Sequence, residues 1–148
     1  MVCLGNICRS PLAQGILEEK TKDLDVYVDS AGTAGYHIGE KPDERSIEIA
    51  KKYNIDITTQ RARKFSIEDF KKFDKIYAMD VSNYNNILSL SNNESDQNKV
   101  SLILSETESV KNLKSVPDPY YGGEEGFENI YWMLNNVCET IKKKLEKR

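Results

Sequence analysis

"VCLGNICRSP", residues 2–11, sets a nucleophilic sulfur and a fixed cation at the two ends of one short loop. Cys3 and Arg9 stand six positions apart, with Gly5 and Asn6 between them and Ser10-Pro11 just beyond. Gly5 permits the backbone conformations that a tight loop needs, and Asn6 is among the few other residues that tolerate positive φ. Directly downstream, "SPLAQGILEEKTK" (10–22) places Leu12, Ile16 and Leu17 on one face, with Ser10 suited to the N-cap and Pro11 to the first helical position. In an α/β fold, a loop that runs into a helix this way comes after a buried strand, yet only Met1 and Val2 precede Cys3. The expectation is a first strand cut short, or a start that lies upstream.

Outward from this loop the chain alternates. "VYVDSAGT" (26–33) is β-branched and aromatic and closes on Gly32, which predicts a strand. "PDERSIEIAKKYNI" (42–55) starts at Pro42-Asp43 and carries an apolar stripe of Ile47, Ala50 and Tyr53, which predicts a helix. "SIEDFKKF" (66–73) reads as a short helix with a Ser-x-x-Asp start, and "KIYAMD" (75–80) as a buried strand. Next come a helix (81–90), a polar surface loop "NNESDQN" (92–98) and a strand "KVSLIL" (99–104). Phe127, Ile130, Leu134, Val137, Ile141 and Leu145 recur at helical spacing in a long C-terminal helix (127–148), and Cys138 falls in its apolar pattern. Strands alternating with helices, without repeat or linker, predict one α/β domain over 1–148 with a mostly parallel sheet.

The chain has 148 residues, enough to bury a sizeable core. No apolar run approaches the roughly 20 residues of a membrane-spanning helix, and Gly5, Asn6 and Arg9 interrupt any secretory-signal layout. A formal net charge of −3 argues against general nucleic-acid binding, and the basic "KKKLEKR" (142–148) reads as a solvated last helical turn. Three cysteines and one histidine, without paired CxxC elements, supply neither a disulfide framework nor a zinc site. The expectations are a reducing, cytoplasmic location, no membrane contact, no metal and no cofactor.

A thiol attacks only as thiolate, which needs positive potential. A helix N-terminus and a curl of inward-facing backbone N–H groups supply it. The planar guanidinium of Arg9 suits bidentate contact with two oxygens of a tetrahedral anion. Together these parts describe a phosphate cradle with sulfur at its floor; the Gly-Lys-Ser/Thr ending of nucleotide-binding loops is missing. A bare C-x5-R carries little weight, and its plain alternative is an inert cysteine beside a surface arginine. Glycine, asparagine and Ser-Pro sharpen the pattern. An ester of tyrosine, whose phenol has a pKa near 10, also needs a proton donor for its leaving oxygen. "VPDPYYGG" (116–123) offers Asp118 between two prolines with Tyr120 and Tyr121 beside it. Alone this is a turn; beside the cradle it is a candidate acid.

"VCLGNICRSP" and "DPYY" (118–121), with "DSAGT" (29–33), "GYHIGEKPDER" (35–45) and "AMDVSN" (78–83), resemble the low-molecular-weight protein tyrosine phosphatase family over essentially the whole chain. The resemblance implies a three-layer fold with a four-stranded parallel sheet flanked by helices and the phosphate loop between the first strand and first helix. It implies a metal-free, two-step hydrolysis of phosphotyrosine in protein substrates, releasing inorganic phosphate, by a monomer. Carried over by position, Cys3 is the nucleophile, Arg9 binds the equatorial oxygens, and Asp118 is the general acid and then base. Leu4, Gly5, Asn6, Ile7, Cys8 and Ser10 form the cradle, and Asn6, Ser10 and the loop-supporting Ser30 match family positions whose hydrogen bonds hold the loop in its strained shape. Tyr36 and Tyr120 match the walls around the phenyl ring, with His37 and Tyr121 at the rim. The resemblance also implies a reversible Cys3–Cys8 disulfide that protects against overoxidation. The chain departs from the pattern in its short first strand and at Gln60, where animal relatives often carry a histidine near the loop serine.

Thioredoxin-coupled arsenate reductases share the cradle but need two further cysteines, and none lies between Cys8 and Cys138. Phosphoarginine phosphatases typically carry threonine where Ile7 stands. A phosphotyrosine-binding relative without turnover is the rival from a different class.

Overall fold

The computed structural model describes residues 1–107, 115–120 and 122–148. Two of its residues carry the centre of the fold: Val2–Cys3 form β1, the strand that delivers Cys3 to the loop. The remaining elements are α1 (Arg9–Lys20), β2 (Ala31–Gly32), α2 (Glu44–Lys52), α3 (Asp69–Lys72), β3 (Ile76–Ala78), α4 (Val81–Leu88), α5 (Glu94–Gln97), β4 (Val100–Leu102), a 3-10 turn (Ile103–Glu106) and α6 (Glu124–Glu146). The four strands run parallel in the order β2-β1-β3-β4. Val2 pairs with Ala31 on one side and Ala78 on the other, so β1 is central despite its length.

Alternation along the strands sorts the core into two faces. Val2, Ala31, Ile76, Ala78 and Val100 pack with Phe65, Phe70 and Ile87 under α3 and α4. Cys3, Tyr77 and Met79 pack on the other face, against Leu12 and Ile16 of α1, Ile49 and Ala50 of α2, and α6. The sheet is thus the middle of three layers, as the resemblance implies. Phe127, Ile130, Leu134, Val137 and Ile141 of α6 are all buried, each contributing about 1.5–3 kcal/mol of apolar burial. Leu145 is partly buried and Cys138 is fully buried in the same layer.

Several elements differ from the sequence reading. The strand expected over 26–33 contributes only Ala31–Gly32 to the sheet. The Met1 ammonium donates to the Asp29 carbonyl and the Met1 carbonyl accepts from the Ala31 N–H, both at 3.0 Å. Tyr27, placed in that strand by sequence, is exposed and stacks on Phe73. The helix expected over 66–73 shortens to Asp69–Lys72; the Asp69 carboxylate accepts from the Ser66 N–H and from both terminal nitrogens of Arg63. Residues 92–98, read as loop, contain the single turn α5, capped by Asn93. The first helix starts at Arg9 rather than at Pro11, with Cys8 at the N-cap and no side-chain cap. Ser10 is not the cap because its hydroxyl is turned into the loop.

Candidate active site

The loop between β1 and α1 is pinned from outside. Backbone N–H groups of Thr33 and Ala34 donate to the carbonyls of Cys3 and Leu4, and that of Asp43 to Ile7, at 2.8–2.9 Å. Ser46 Oγ donates to the Cys8 carbonyl at 3.2 Å. A trans peptide directs C=O and the next N–H to opposite sides, so the N–H groups of Leu4, Gly5, Cys8 and Arg9 point away from these partners. The left-handed residue is Asn6, at φ 58°. Gly5 is not left-handed; its lack of a side chain matters because a Cβ there would stand 3.1 Å from His37 Cδ2. Gly32 is more constrained still, since a Cβ would meet the Leu4 carbonyl oxygen at 2.7 Å and the Asn6 nitrogen at 3.1 Å. That close crossing of β2 and loop has only "SAGT" as its sequence signal.

The amide of Asn6 sets the direction of a buried hydrogen-bond chain. Its Oδ1 accepts from the Arg63 N–H at 3.0 Å, which orients the amide. Its two hydrogens then go to Ser10 Oγ at 2.8 Å and Ser30 Oγ at 2.9 Å. Each hydroxyl, accepting one of these bonds, keeps its own proton for a further partner. Ser30 donates to Gln14 Oε1 at 2.6 Å, and Ser10 Oγ lies 3.0 Å from Cys3 Sγ, where the hydroxyl is the donor once the sulfur is a thiolate. Ser10, Ser30 and Asn6 are all buried. A hydroxyl aimed at sulfur stabilises negative charge there. Gln60 does not join this chain; its amide donates to the Pro11 carbonyl at 3.0 Å.

The second thiol of the loop has a different environment. Burial first, then the charges of Asp43, Cys3 and Asp118, push Cys8 up to about 12 and keep it protonated at neutral pH. Burial does the same to Cys138, also raised to about 12. All three cysteines are free thiols.

Arg9 is buried and held by groups from distant elements. Its Nη1 donates to Asp80 Oδ2 at 2.7 Å and to the Val116 carbonyl at 3.0 Å. Asp80 caps α4, its other oxygen accepting from the Asn83 N–H at 2.7 Å. Sequence reading did not single out Asp80; an Asp two residues after a buried strand, opening a helix, is the signal that marks it. Nη2 of Arg9 lies 3.5 Å from Asp118 Oδ2, and Asp118 Oδ1 accepts from the Tyr120 N–H at 3.0 Å.

Cys3, Arg9, Asp118, Tyr36, His37 and Tyr120 line one cavity of about 200 Å³, together with Leu4, Gly5, Ile7 and Cys8. Tyr36 is 75% exposed and stands at the mouth; Leu4 and Tyr120 are less so. His37 Nδ1 lies 2.6 Å from Glu40 Oε2 at the rim. Asn6, Ser10 and Ser30 lie behind the cavity wall and shape it. Tyr121 lies outside the described residues. Among the described residues no group of His, Cys, Asp or Glu side chains is arranged to hold a metal ion.

The chain matches the family described as low molecular weight phosphotyrosine protein phosphatase over residues 1–148. It is 40% identical to a protein of that name from Schizosaccharomyces pombe, covering 97% of this chain and 94% of that one. It is 39% identical to the low molecular weight protein-tyrosine-phosphatase PtpA of Staphylococcus aureus, over 95% of this chain and 88% of that one. The crystal structure of a protein tyrosine phosphatase from Entamoeba histolytica, with Hepes in the active site, superposes with a TM-score of 0.92 at 37% identity, covering 99% and 94% of the two chains.

Proposed function

Because this chain belongs to the low molecular weight phosphotyrosine protein phosphatase family, and is thereby a phosphoric monoester hydrolase, we propose that it hydrolyses phosphotyrosine through a phosphoryl group carried on Cys3. The phosphate enters the cavity with its oxygens toward the loop N–H groups and the guanidinium of Arg9. Asp80 and the Val116 carbonyl fix that guanidinium, so its remaining edge meets the anion without reorganising. The Cys3 thiolate, hydrogen-bonded by Ser10, attacks phosphorus. The S–P bond forms as the P–O bond to the phenol breaks, and the leaving oxygen takes its proton from Asp118. Water then attacks phosphorus, Asp118 accepts its proton, the S–P bond breaks, and inorganic phosphate leaves with the thiolate restored.

The observation that carries this reading is the convergence of Cys3 Sγ, the Arg9 guanidinium and the Asp118 carboxylate on one cavity between two tyrosines. Tyr36 and Tyr120 flank a flat aromatic ring, and the depth beneath them favours phosphotyrosine over the shorter phosphoserine. We assign the reaction to one domain, 1–148, acting as a monomer in a reducing, cytoplasmic setting on phosphoprotein substrates, without metal or cofactor. No described helix is long and apolar enough to cross a membrane. The reductase alternative lacks support, since Cys138 is fully buried on the inner face of α6.

Hydrolysis of p-nitrophenyl phosphate tests the proposal: the chain should turn over, and Cys3→Ser should abolish turnover while still binding phosphate. Vanadate binding without turnover in the unmodified chain would favour the non-catalytic binder instead. Turnover that survives Cys3→Ser would remove the nucleophile assignment.

A further inference from the structure

Cys3 and Arg9 are seated on the sheet and α1, whereas Asp118 sits in a loop with a side chain 39% exposed. A proton donor on an exposed loop needs something to hold it over the leaving oxygen. At its start the loop is tied to the sheet, the Val116 N–H donating to the Met79 carbonyl at 2.8 Å. Beyond Asp118 it is met by Arg45, from the first turn of α2. Arg45 Nη2 donates to the Tyr120 carbonyl at 3.0 Å and Nη1 to the Gly122 carbonyl at 3.3 Å. The same guanidinium lies 5.6 Å from the Tyr120 ring centroid and 4.7 Å from that of Phe127 in α6.

Arg45 is itself aligned by Asp43. Nε and Nη2 donate to the two carboxylate oxygens of Asp43 at 3.0 and 3.1 Å, a side-on fork that fixes the guanidinium plane. Asp43 is the N-cap of α2, and its own N–H donates to the Ile7 carbonyl in the phosphate loop. One continuous set of contacts therefore runs from the loop that carries Cys3, through Asp43 and Arg45, to the loop that carries Asp118. A lysine in place of Arg45 supplies the charge but not the fork.

We propose that Arg45 is a positioning residue that sets Asp118 over the leaving-group oxygen, tying the acid loop to the phosphate loop. This rests on the reading of Asp118 as the acid. Arg45 touches neither substrate nor reacting atoms; because it also braces the Tyr120 wall, its removal should cost every aryl phosphate a little and those whose leaving group needs the proton far more.

The test compares kcat/KM on phenyl phosphate, whose leaving group needs a proton, with p-nitrophenyl phosphate, whose leaving group departs readily without one. Arg45→Met should lower kcat/KM on phenyl phosphate by about 10- to 100-fold, in line with the cost of an ångström-scale misplacement, and change p-nitrophenyl phosphate far less. Arg45→Lys should be impaired in the same leaving-group-dependent way. In an Asp118→Ala background, Arg45→Met should cost no more than that small common loss. An unchanged alkylation rate at Cys3 shows that the phosphate loop is intact, and Arg45→Lys carries the test if Arg45→Met does not fold. Equal losses on both substrates, or full losses that persist without Asp118, would overturn the positioning role. If Asp118→Ala itself leaves the leaving-group dependence unchanged, the acid assignment falls and Arg45's role with it. If Asp118→Ala steepens it and Arg45→Met does not, only the positioning role falls.

Discussion

Replacing Asn6 dissects the loop most cleanly, because this one residue supplies both backbone shape and hydrogen-bond direction. Asn6→Gly keeps the left-handed conformation at φ 58° but removes three buried side-chain hydrogen bonds, two donated to serines and one accepted from the Arg63 N–H. At about 0.5–1.5 kcal/mol each, and with the Arg63 N–H left unpaired, the loss is about 2–5 kcal/mol. Asn6→Ala loses the same bonds and adds a left-handed cost of about 1–2 kcal/mol. Against a total stability of about 5–15 kcal/mol, both variants should fold, with alanine the weaker. Activity should fall in both, since Ser10 no longer has its acceptor side occupied and its proton is free to turn from Cys3. Urea unfolding followed by Trp132 fluorescence measures the first effect; kcat and the alkylation rate of Cys3 measure the second. Full activity with stability within about 0.5 kcal/mol of the parent would refute the assigned direction of the chain.

Other perturbations are set by the same geometry. Asp80→Ala removes the shortest contact of the Arg9 guanidinium and leaves it the Val116 carbonyl and the exposed Asp118 carboxylate at 3.5 Å, so phosphate inhibition constants should rise about tenfold or more while Cys3 alkylation continues. Iodoacetamide at pH 8 should label Cys3 before Cys8 or Cys138, whose thiols are both raised to about 12; equal labelling would contradict this. Because the folded values lie above the unfolded value of 9.0, the native state keeps protons that the unfolded chain releases. Stability from Cys8 is thus present below about pH 9 and lost as pH rises toward 12. Cys8→Ser should flatten that part of the urea-midpoint profile. Leu134→Ala, in the fully buried stripe of α6, should cost about 2–5 kcal/mol without altering KM.

The loop and the periodic helices were legible because their signals are local. Apolar residues at helical spacing announce α6, and Asn6 among glycine, cysteine and arginine announces a left-handed turn. What escaped depends on partners far along the chain. Ser10 has the local look of an N-cap, yet Asn6 and Cys3 claim its hydroxyl. Residues 26–30 have strand propensity, yet only Ala31–Gly32 pair in the ladder, and Tyr27 turns out to stack on Phe73. Asp80 meets Arg9 across 71 positions, and Arg45 meets Tyr120 across 75, separations at which sequence patterns carry no register. Gly5 drew attention for conformational freedom, while Gly32, with backbone 2.7 Å from where its Cβ would stand, is the glycine the loop cannot spare.

Covalent phosphorylation of sulfur is the step on which the whole account depends. Asp118→Ala slows the hydrolysis of that intermediate, whose attacking water loses its base, while p-nitrophenyl phosphate still forms it without an acid. The variant should therefore be mixed with p-nitrophenyl phosphate, quenched within one turnover, and digested for mass spectrometry. The account predicts one phosphoryl group on the peptide that contains Cys3. Release of p-nitrophenol with no phosphoryl group on the protein, or with one on any other residue, would contradict it.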